Sequence, residues 1–308
     1  MQLYSRDMAE KRGPWSSLDR TLACGALIDR ISSKDVNWIL TDFKGFLTID
    51  RQLSERTVYR HVWEIKRHLK TLRISPSSAT RHDIRSYLSR FKDKPANTYA
   101  NVLKSLKVFY RDYLDMTEIV RTFKFPIKTT SVITAPSKKD LQAFYSELED
   151  EMARTMLLFY CTSGLRRKEV LELTFENVDF EERMIIPQQR SRTKRTWVTF
   201  YNEETQDALE KYLGSPGNSD EKERLFPISE VYLRRRCTRI KDKIGVYLTP
   251  KILRVWFCNE MGRLGVQDRY IDAFCGRVPN SVLARHYTDY SPERLKRIYD
   301  RANLTVLS

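Results

Sequence analysis

Two tyrosines, Tyr287 and Tyr290, lie three residues apart in the stretch ARHYTDY, in a chain rich in arginine and lysine. On a helix that spacing puts both rings on one face. Such a phenol is either a half-buried core ring with its hydroxyl hydrogen-bonded or a nucleophile aimed at a phosphate, and the pair alone decides neither. Several cations elsewhere are placed for work on anions. Arg166 follows a glycine turn in TSGLRRKEVLEL and stands at a helix start. A helix N-terminus favours anions, and an arginine there adds a bidentate fork. Glu169, three residues on, either orients an arginine or forms an ordinary surface pair. Lys194 is the lone lysine among Arg190, Arg192 and Arg195 in QQRSRTKR. A lysine on a hairpin tip can reach a substrate and donate a proton, whereas a merely basic tip would touch only a phosphate backbone. Lys251 and Arg254 in TPKILRVWF are spaced to point the same way on one helix. Arg277 follows a glycine in CGRVPNS, ten residues before Tyr287.

The elements that must position these residues can be read from apolar spacing. From Ser33 a helical rhythm begins, with Val36, Ile39, Leu40, Phe43 and Phe46 on one stripe. The next segment is clearer, because Val58, Val62, Ile65, Leu69 and Leu72 step by four and three. Two further patterns, RHDIRSYLSRF and ANTYANVLKSLKVFYRDYL, complete a four-helix bundle over 33–116. The solvent side of its second helix carries Arg60, Lys66, Arg67, Lys70 and Arg73 with few acidic partners. That face is either solvated or a contact surface for phosphates. Residues 123–141 show two prolines and no helical period, and Ser137 with Asp140 offers an N-cap. Beyond it the spacing predicts helices over about 138–161 and in LRRKEVLELT, then a β-hairpin in MIIPQQRSRTKRTWVTF. Helices near 203–213, 229–244, 250–264, 267–275 and 280–290 follow, and a last one starts at Ser291 and Pro292.

Composition narrows the partner. The 308 residues are 41% hydrophobic, and Lys+Arg exceed Asp+Glu by 55 to 40, a net charge of +15. The apolar content supports real cores, the length favours two domains, and the charge favours a polyanion. No apolar run is long enough to span a bilayer and the N-terminus lacks a signal-peptide core. A cytoplasmic, DNA-associated protein is expected, with nucleic acid and not a membrane as partner. The cysteines at 24, 161, 237, 258 and 275 form no C-x-x-C pair and read as reduced core thiols. The histidines at 61, 68, 82 and 286 lack metal-ligand spacing, and no P-loop or G-x-G-x-x-G is present. No cofactor and no metal are expected, so phosphate chemistry here falls to side chains.

In order along the chain, SGLRRKEV, the hairpin, KILR, CGR and RHYTDY resemble the catalytic boxes of the tyrosine recombinases, the lambda-integrase family. That family carries an Arg after a T-G-L turn, a hairpin Lys, an H-x-x-R box, a Gly-His or other polar pair, and a Tyr. The resemblance covers about residues 137–300, and 33–116 resembles the family's core-binding domain. Two positions depart from the common pattern. Lys251 stands where H-x-x-R has its histidine, and Arg277 replaces the histidine of the Gly-His pair. This K-x-x-R, R, Y arrangement is similar to integrases of archaeal spindle-shaped viruses and related plasmids. Positive charge is kept, but an arginine does not deprotonate, so Arg277 binds phosphate better than it shuttles protons.

The resemblance implies a mainly α fold with a small antiparallel β-sheet (α+β), arranged as a two-domain DNA clamp. Its parts would be an N-terminal arm 1–32, a helical core-binding domain 33–122, a linker 123–137 and a catalytic domain 138–308. It implies site-specific recombination, with Tyr287 preferred over Tyr290 as the nucleophile that forms a 3′-phosphotyrosyl link and frees a 5′-hydroxyl. Arg166, Arg254 and Arg277 would stabilise the charge on the phosphorane. Lys194 would protonate the leaving oxygen, and Lys251 would stand in for the histidine as acid or base. Double-stranded DNA carrying a specific site is the expected partner, bound by a homotetramer, with a monomer in solution admitted. The segment 292–308 would dock on a neighbour. Two rivals are a non-catalytic DNA-binding descendant of a recombinase and a type IB topoisomerase.

Overall fold

The computed structural model describes residues 36–72, 75–127, 134–186, 198–214, 224–277, 282 and 287–308. The segment 1–32, Arg73, the basic hairpin tip with Arg190, Arg192, Lys194 and Arg195, and most of the helix expected at 280–290 lie outside the described residues. Two compact units divide the chain, residues 1–130 and 131–308. The fold is mainly α with one small antiparallel sheet.

The first unit packs α1 (Val36–Ile49), α2 (Glu55–Leu72), α3 (Arg81–Ser89) and α4 (Ala96–Lys107), followed by the short α5 (Thr117–Val120). The expected apolar stripes form its core: Ile39, Leu40 and Phe43 from α1 meet Val58, Ile65 and Leu69 from α2 and Val102 and Leu106 from α4. Thr80 and Asp83 cap α3 reciprocally. At its end α4 widens into a π-turn over Val108–Tyr113. That register lets the consecutive residues Val108, Phe109 and Tyr110 all face the core.

The core side of α2 is also polar, which its apolar spacing did not announce. His61, Glu64 and His68 are buried there. A buried polar group must find partners, and each of these side chains finds one, while His61 Nε2 and His68 Nδ1 have none among the described residues. His61 Nδ1 lies 2.8 Å from Ser105 Oγ, and His68 Nε2 lies 2.8 Å from the Tyr110 hydroxyl. Burial, joined by the charges of Arg60 and Lys104, takes the pKa of His61 down to about 4. Burial takes His68 to about 4 as well, against a weak opposing pull from Asp83.

The second unit begins at α6 (Lys138–Ser146), capped reciprocally by Ser137 and Asp140 as expected. The single helix expected over 138–161 is two helices. Asp150 interrupts it: its carboxylate accepts the Ala153 N–H at 2.7 Å and starts α7 (Glu151–Thr162). The short α8 (Arg167–Leu171) leads to a three-stranded sheet of β1 (Val178–Asp179), β2 (Met184–Ile185) and β3 (Thr199–Phe200). Val178 pairs with Ile185, and Met184 with Phe200, both antiparallel. Then come α9 (Glu203–Leu213), α10 (Glu230–Ile244), α11 (Pro250–Arg263), α12 (Asp268–Phe274) and α13 (Pro292–Ala302). The buried α7 is the centre of this unit, packed against α9 and α11.

The end of the chain is built into the second unit, where Leu295, Tyr299, Leu304 and Val306 are buried. Glu204, on the first turn of α9, fixes the tail by accepting the backbone N–H groups of Val306, Leu307 and Ser308 at 2.6, 2.9 and 2.8 Å. Burial alone would raise the Glu204 pKa; those N–H groups and the Asn202 amide outweigh it and hold the carboxyl below its usual range.

Two outcomes follow from these buried polar groups. The histidines bind protons more readily when unfolded, so the first unit should lose stability as pH falls from about 6.5 toward 4. Urea unfolding across that range checks this, and a flat response would show that the rings are not neutral in the core. Glu204→Ala strands three N–H donors and should lower unfolding free energy by about 1–3 kcal/mol at pH 7.

Candidate active site

Arg166, Arg254 and Arg277 reach one place from three separate elements. The turn after α7 is the first support. Gly164 sits at φ +66, where a Cβ would lie 2.5 Å from Phe257 Cε1 and 3.1 Å from Cys275 Sγ. Glycine is therefore required twice over, for the backbone angle and for the space. Thr199 on β3 ties this turn to the sheet by donating to the Ser163 carbonyl at 2.6 Å. Immediately after the turn Arg166 is the N-cap of α8. Its backbone N–H donates to Glu169 Oε2 at 2.6 Å and its Nη1 to Glu169 Oε1 at 2.8 Å.

Arg254 comes from the first half of α11, which Thr249 caps and Pro250 opens. Its Nη1 donates to the Gly164 carbonyl at 2.5 Å and its Nη2 to the Cys275 carbonyl at 2.6 Å. Nη1 also lies 4.0 Å from Glu169 Oε2, so one carboxylate faces two guanidiniums. The third element is the turn closing α12, where Gly276 adopts φ +57. Its carbonyl accepts Arg166 Nη2 at 3.3 Å. The next residue, Arg277, pairs with Asp272 at 2.7 Å and donates to Cys258 Sγ at 3.4 Å.

Glu169 is not an ordinary surface pair. Its side chain is only 6% exposed, beside an Arg254 side chain at 12%. Burial is the largest influence on Arg254 and lowers its pKa; Cys275 opposes, and the charges of Arg166 and Arg277 push the same way as burial. The three arginines thus feel one another's field, and Glu169 offsets it at the centre. For Arg277 burial is outweighed by Asp272 and the neighbouring sulfurs, and its pKa is raised. Three cations, two of them on one acidic anchor, gather positive charge at one place. Among the described residues, no group of three or more His, Cys, Asp or Glu side chains could hold a metal.

The remaining expected residues sit apart from this packing. Lys251 is exposed on the first turn of α11. Tyr287 and Tyr290 lie outside any helix. Tyr290 is buried with its ring edge-on to Tyr270, at 6.2 Å between centroids, which makes it a core ring. Tyr287 is 75% exposed. Cys258 and Cys275 were read as unrelated core thiols, yet their sulfurs lie 3.5 Å apart beside the arginines. No spacing rule links positions 17 apart on two helices, so the sequence carried no signal for the pair.

In the first unit Arg60, Lys66 and Lys70 are exposed on α2. Arg67 differs. It donates to both Glu64 oxygens at 2.7 and 2.9 Å and to the Tyr87 hydroxyl at 3.1 Å. Its guanidinium also lies over Trp63 and Phe91, 4.7 and 4.9 Å from the ring centroids. That arginine is committed to the protein, and the expected phosphate-facing group loses it.

A family model described as "Phage integrase family" matches residues 136–294, just over half of the chain. The chain belongs to the phage integrase family. A second model, "Phage integrase, N-terminal SAM-like domain", matches residues 39–118 of this integrase. Tyrosine recombinase XerA of Thermococcus onnurineus is 25% identical over 281 residues, spanning 87% of this chain and 96% of the relative. Tyrosine recombinase XerC of Thermodesulfovibrio yellowstonii is 22% identical, spanning 87% and 97%. Among solved structures, a lambda integrase dimer bound to a COC' core site aligns with TM-score 0.63 at 16% identity, over 89% of this chain and 87% of that one. A Tn1549 transposon integrase in complex with transposon right end DNA aligns with TM-score 0.58 at 15% identity, over 84% and 97%. The chain is a tyrosine-type site-specific recombinase. No helix among its described residues is long and apolar enough to cross a membrane.

Glu169→Ala leaves two close guanidiniums facing each other with no anion between them. Removing one partner of a buried pair typically costs about 3–5 kcal/mol, so the melting temperature of this integrase should fall by roughly 6–20 °C. Sulfate should restore part of the loss where sodium chloride of equal ionic strength does not; equal responses to the two salts would mean the arginines do not share an anion site.

Proposed function

We propose that this recombinase cuts and rejoins double-stranded DNA at a specific site, with Tyr287 as nucleophile and Arg166, Arg254 and Arg277 as the phosphate cradle. The observation that supports it is the convergence of three guanidiniums on one place, two of them sharing the buried Glu169. The Tyr287 oxygen attacks the scissile phosphorus, a 3′-phosphotyrosyl bond forms, and the 5′-oxygen leaves. A 5′-hydroxyl from a second duplex then reverses the step, so no external energy is needed. At the pentavalent stage extra negative charge sits on the non-bridging oxygens, where fixed guanidiniums stabilise it most. A free phenol ordinarily titrates near 10, so cations that favour the phenolate assist the attack. Lys194 protonates the leaving oxygen, and Lys251 serves as acid or base in the position of the family's histidine.

On the same reading residues 33–122 grip the duplex and 138–308 carry the chemistry, joined by 123–137. Arg60, Lys66 and Lys70 neutralise backbone phosphates, as do Arg190, Arg192 and Arg195 on the hairpin. Integrases seen bound to DNA share this fold, and the net charge of +15 suits a polyanion. The assembly that recombines two duplexes is a tetramer. A catalytic role is favoured over a non-catalytic descendant because every replaced histidine became a cation.

A nicked duplex that traps the cleaved state should give a detergent-resistant protein–DNA adduct with the wild type and none with Tyr287→Phe. Arg254→Lys should slow adduct formation by roughly 10²–10³-fold. No adduct from the wild type on any candidate site would overturn the assignment. An adduct that survives Tyr287→Phe would move the nucleophile elsewhere.

A further inference from the structure

The sulfurs of Cys258 and Cys275 meet at 3.5 Å inside the wall of the arginine cradle. Cys258 lies one turn beyond Arg254 on α11, and its sulfur accepts from Arg277 Nη2 at 3.4 Å. Cys275 ends α12, its carbonyl accepts from Arg254, and it stands two residues before Arg277. The two thiols differ in access: Cys258 is half-buried, whereas Cys275 is 1% exposed. They also differ in acidity. A hydrogen bond from Cys275, with the charges of Arg277 and Arg254, holds the Cys258 thiol well below its usual pKa against the effect of burial. The same contact and burial raise Cys275. A reachable, acidified thiol beside a sheltered partner is the arrangement of an oxidisable cysteine and its resolving cysteine. The surrounding guanidiniums repel a metal cation, which argues against reading the pair as ligands.

We propose that Cys258 and Cys275 are a reversible oxidation site, converted by hydrogen peroxide into a disulfide that disables the arginine cradle. In the first step the Cys258 thiolate attacks the peroxide. The O–O bond breaks, an S–O bond forms, and water leaves, giving a sulfenic acid. In the second step the Cys275 sulfur attacks the Cys258 sulfur. The S–O bond breaks, the S–S bond forms, and a second water carries off the Cys275 proton. The balance is two thiols and one peroxide to one disulfide and two waters. A dithiol reductant reverses it by exchange.

Bond formation requires the sulfurs to close from 3.5 Å to about 2.05 Å. The Cys275 carbonyl that anchors Arg254 and the Cys258 sulfur that contacts Arg277 are drawn along. Misplacing catalytic groups by about an ångström can cost about 10²-fold in rate. The loss of cleavage rests on the recombinase site reading; the oxidation does not.

The test uses the full-length, fully reduced protein treated with hydrogen peroxide. Differential alkylation and peptide mass spectrometry should find Cys258 linked to Cys275, with Cys161 and Cys237 still alkylated as thiols. Cleavage of a nicked duplex should fall by about 10²-fold and return with dithiothreitol. Cys275→Ser should stop at the sulfenic acid, trapped by dimedone on Cys258. Cys258→Ser should keep the cleavage rate of its own untreated control. If Cys258 and Cys275 stay alkylatable at peroxide levels that oxidise free cysteine, the site does not exist. A disulfide that leaves cleavage unchanged would overturn its effect on the cradle. If the untreated protein never cleaves, the site reading of Tyr287 and the arginines fails, while the thiol assay still decides the dithiol.

Discussion

One buried carboxylate governs the second unit. Glu169 faces Arg166 at 2.8 Å and Arg254 at 4.0 Å in a nearly dry place. Like charges gathered in a place with little water repel the more strongly the less they are screened. Held close without an anion, the arginines would swing outward to water. With it, their positive charge stays gathered in one place. The cost is a desolvated ion group, which is weak evidence for stability and better understood as retained for geometry.

The rest of the unit explains why that geometry is rigid. Gly164 lets the chain turn against Phe257 and lends its carbonyl to Arg254. Gly276 makes a second left-handed turn and lends its carbonyl to Arg166. Two of the arginines are thus crossed between elements: Arg166 binds the backbone next to Arg277, and Arg254 binds backbone near both of the others, while Arg277 is held by the Asp272 side chain. Such crossing fixes positions to better than the packing of long flexible side chains would allow. The Tyr299 hydroxyl donates to the Thr162 carbonyl at 2.8 Å, so the last helix also clamps the turn where the cradle begins.

Legibility in the sequence tracked how local the deciding physics was. The Ser137–Asp140 cap, the α2 stripe and the Ser291–Pro292 start were readable because partners lie within one turn of each other. The break at Asp150 was missed because an apolar rhythm on either side of a capping aspartate looks continuous. Apolar spacing gave no sign that His61, Glu64 and His68 are buried, because their partners Ser105, Tyr87 and Tyr110 come from helices far along the chain. Arg67 looked like a phosphate contact for the same reason. The arginines themselves were legible as boxes in order, but whether they converge was not, since convergence depends on carbonyls 21 to 110 positions away.

The departures from the family's histidines fit this electrostatic picture. A histidine in the cradle would sit among permanent cations, which favour its neutral form, and its charge would vary with pH. Arg277 keeps the charge fixed, and Asp272 holds it in place. The site therefore gains a permanent charge and gives up a proton carrier at that position. On the proposed chemistry, proton transfer must then fall to groups outside the fixed cradle. Lys251 is exposed at the head of the helix that carries Arg254. Tyr287, 75% exposed, lies outside the core that fixes the arginines. A rigid charge trap with its mobile-proton groups kept in solvent separates two demands that conflict in one residue: staying charged and giving up a proton.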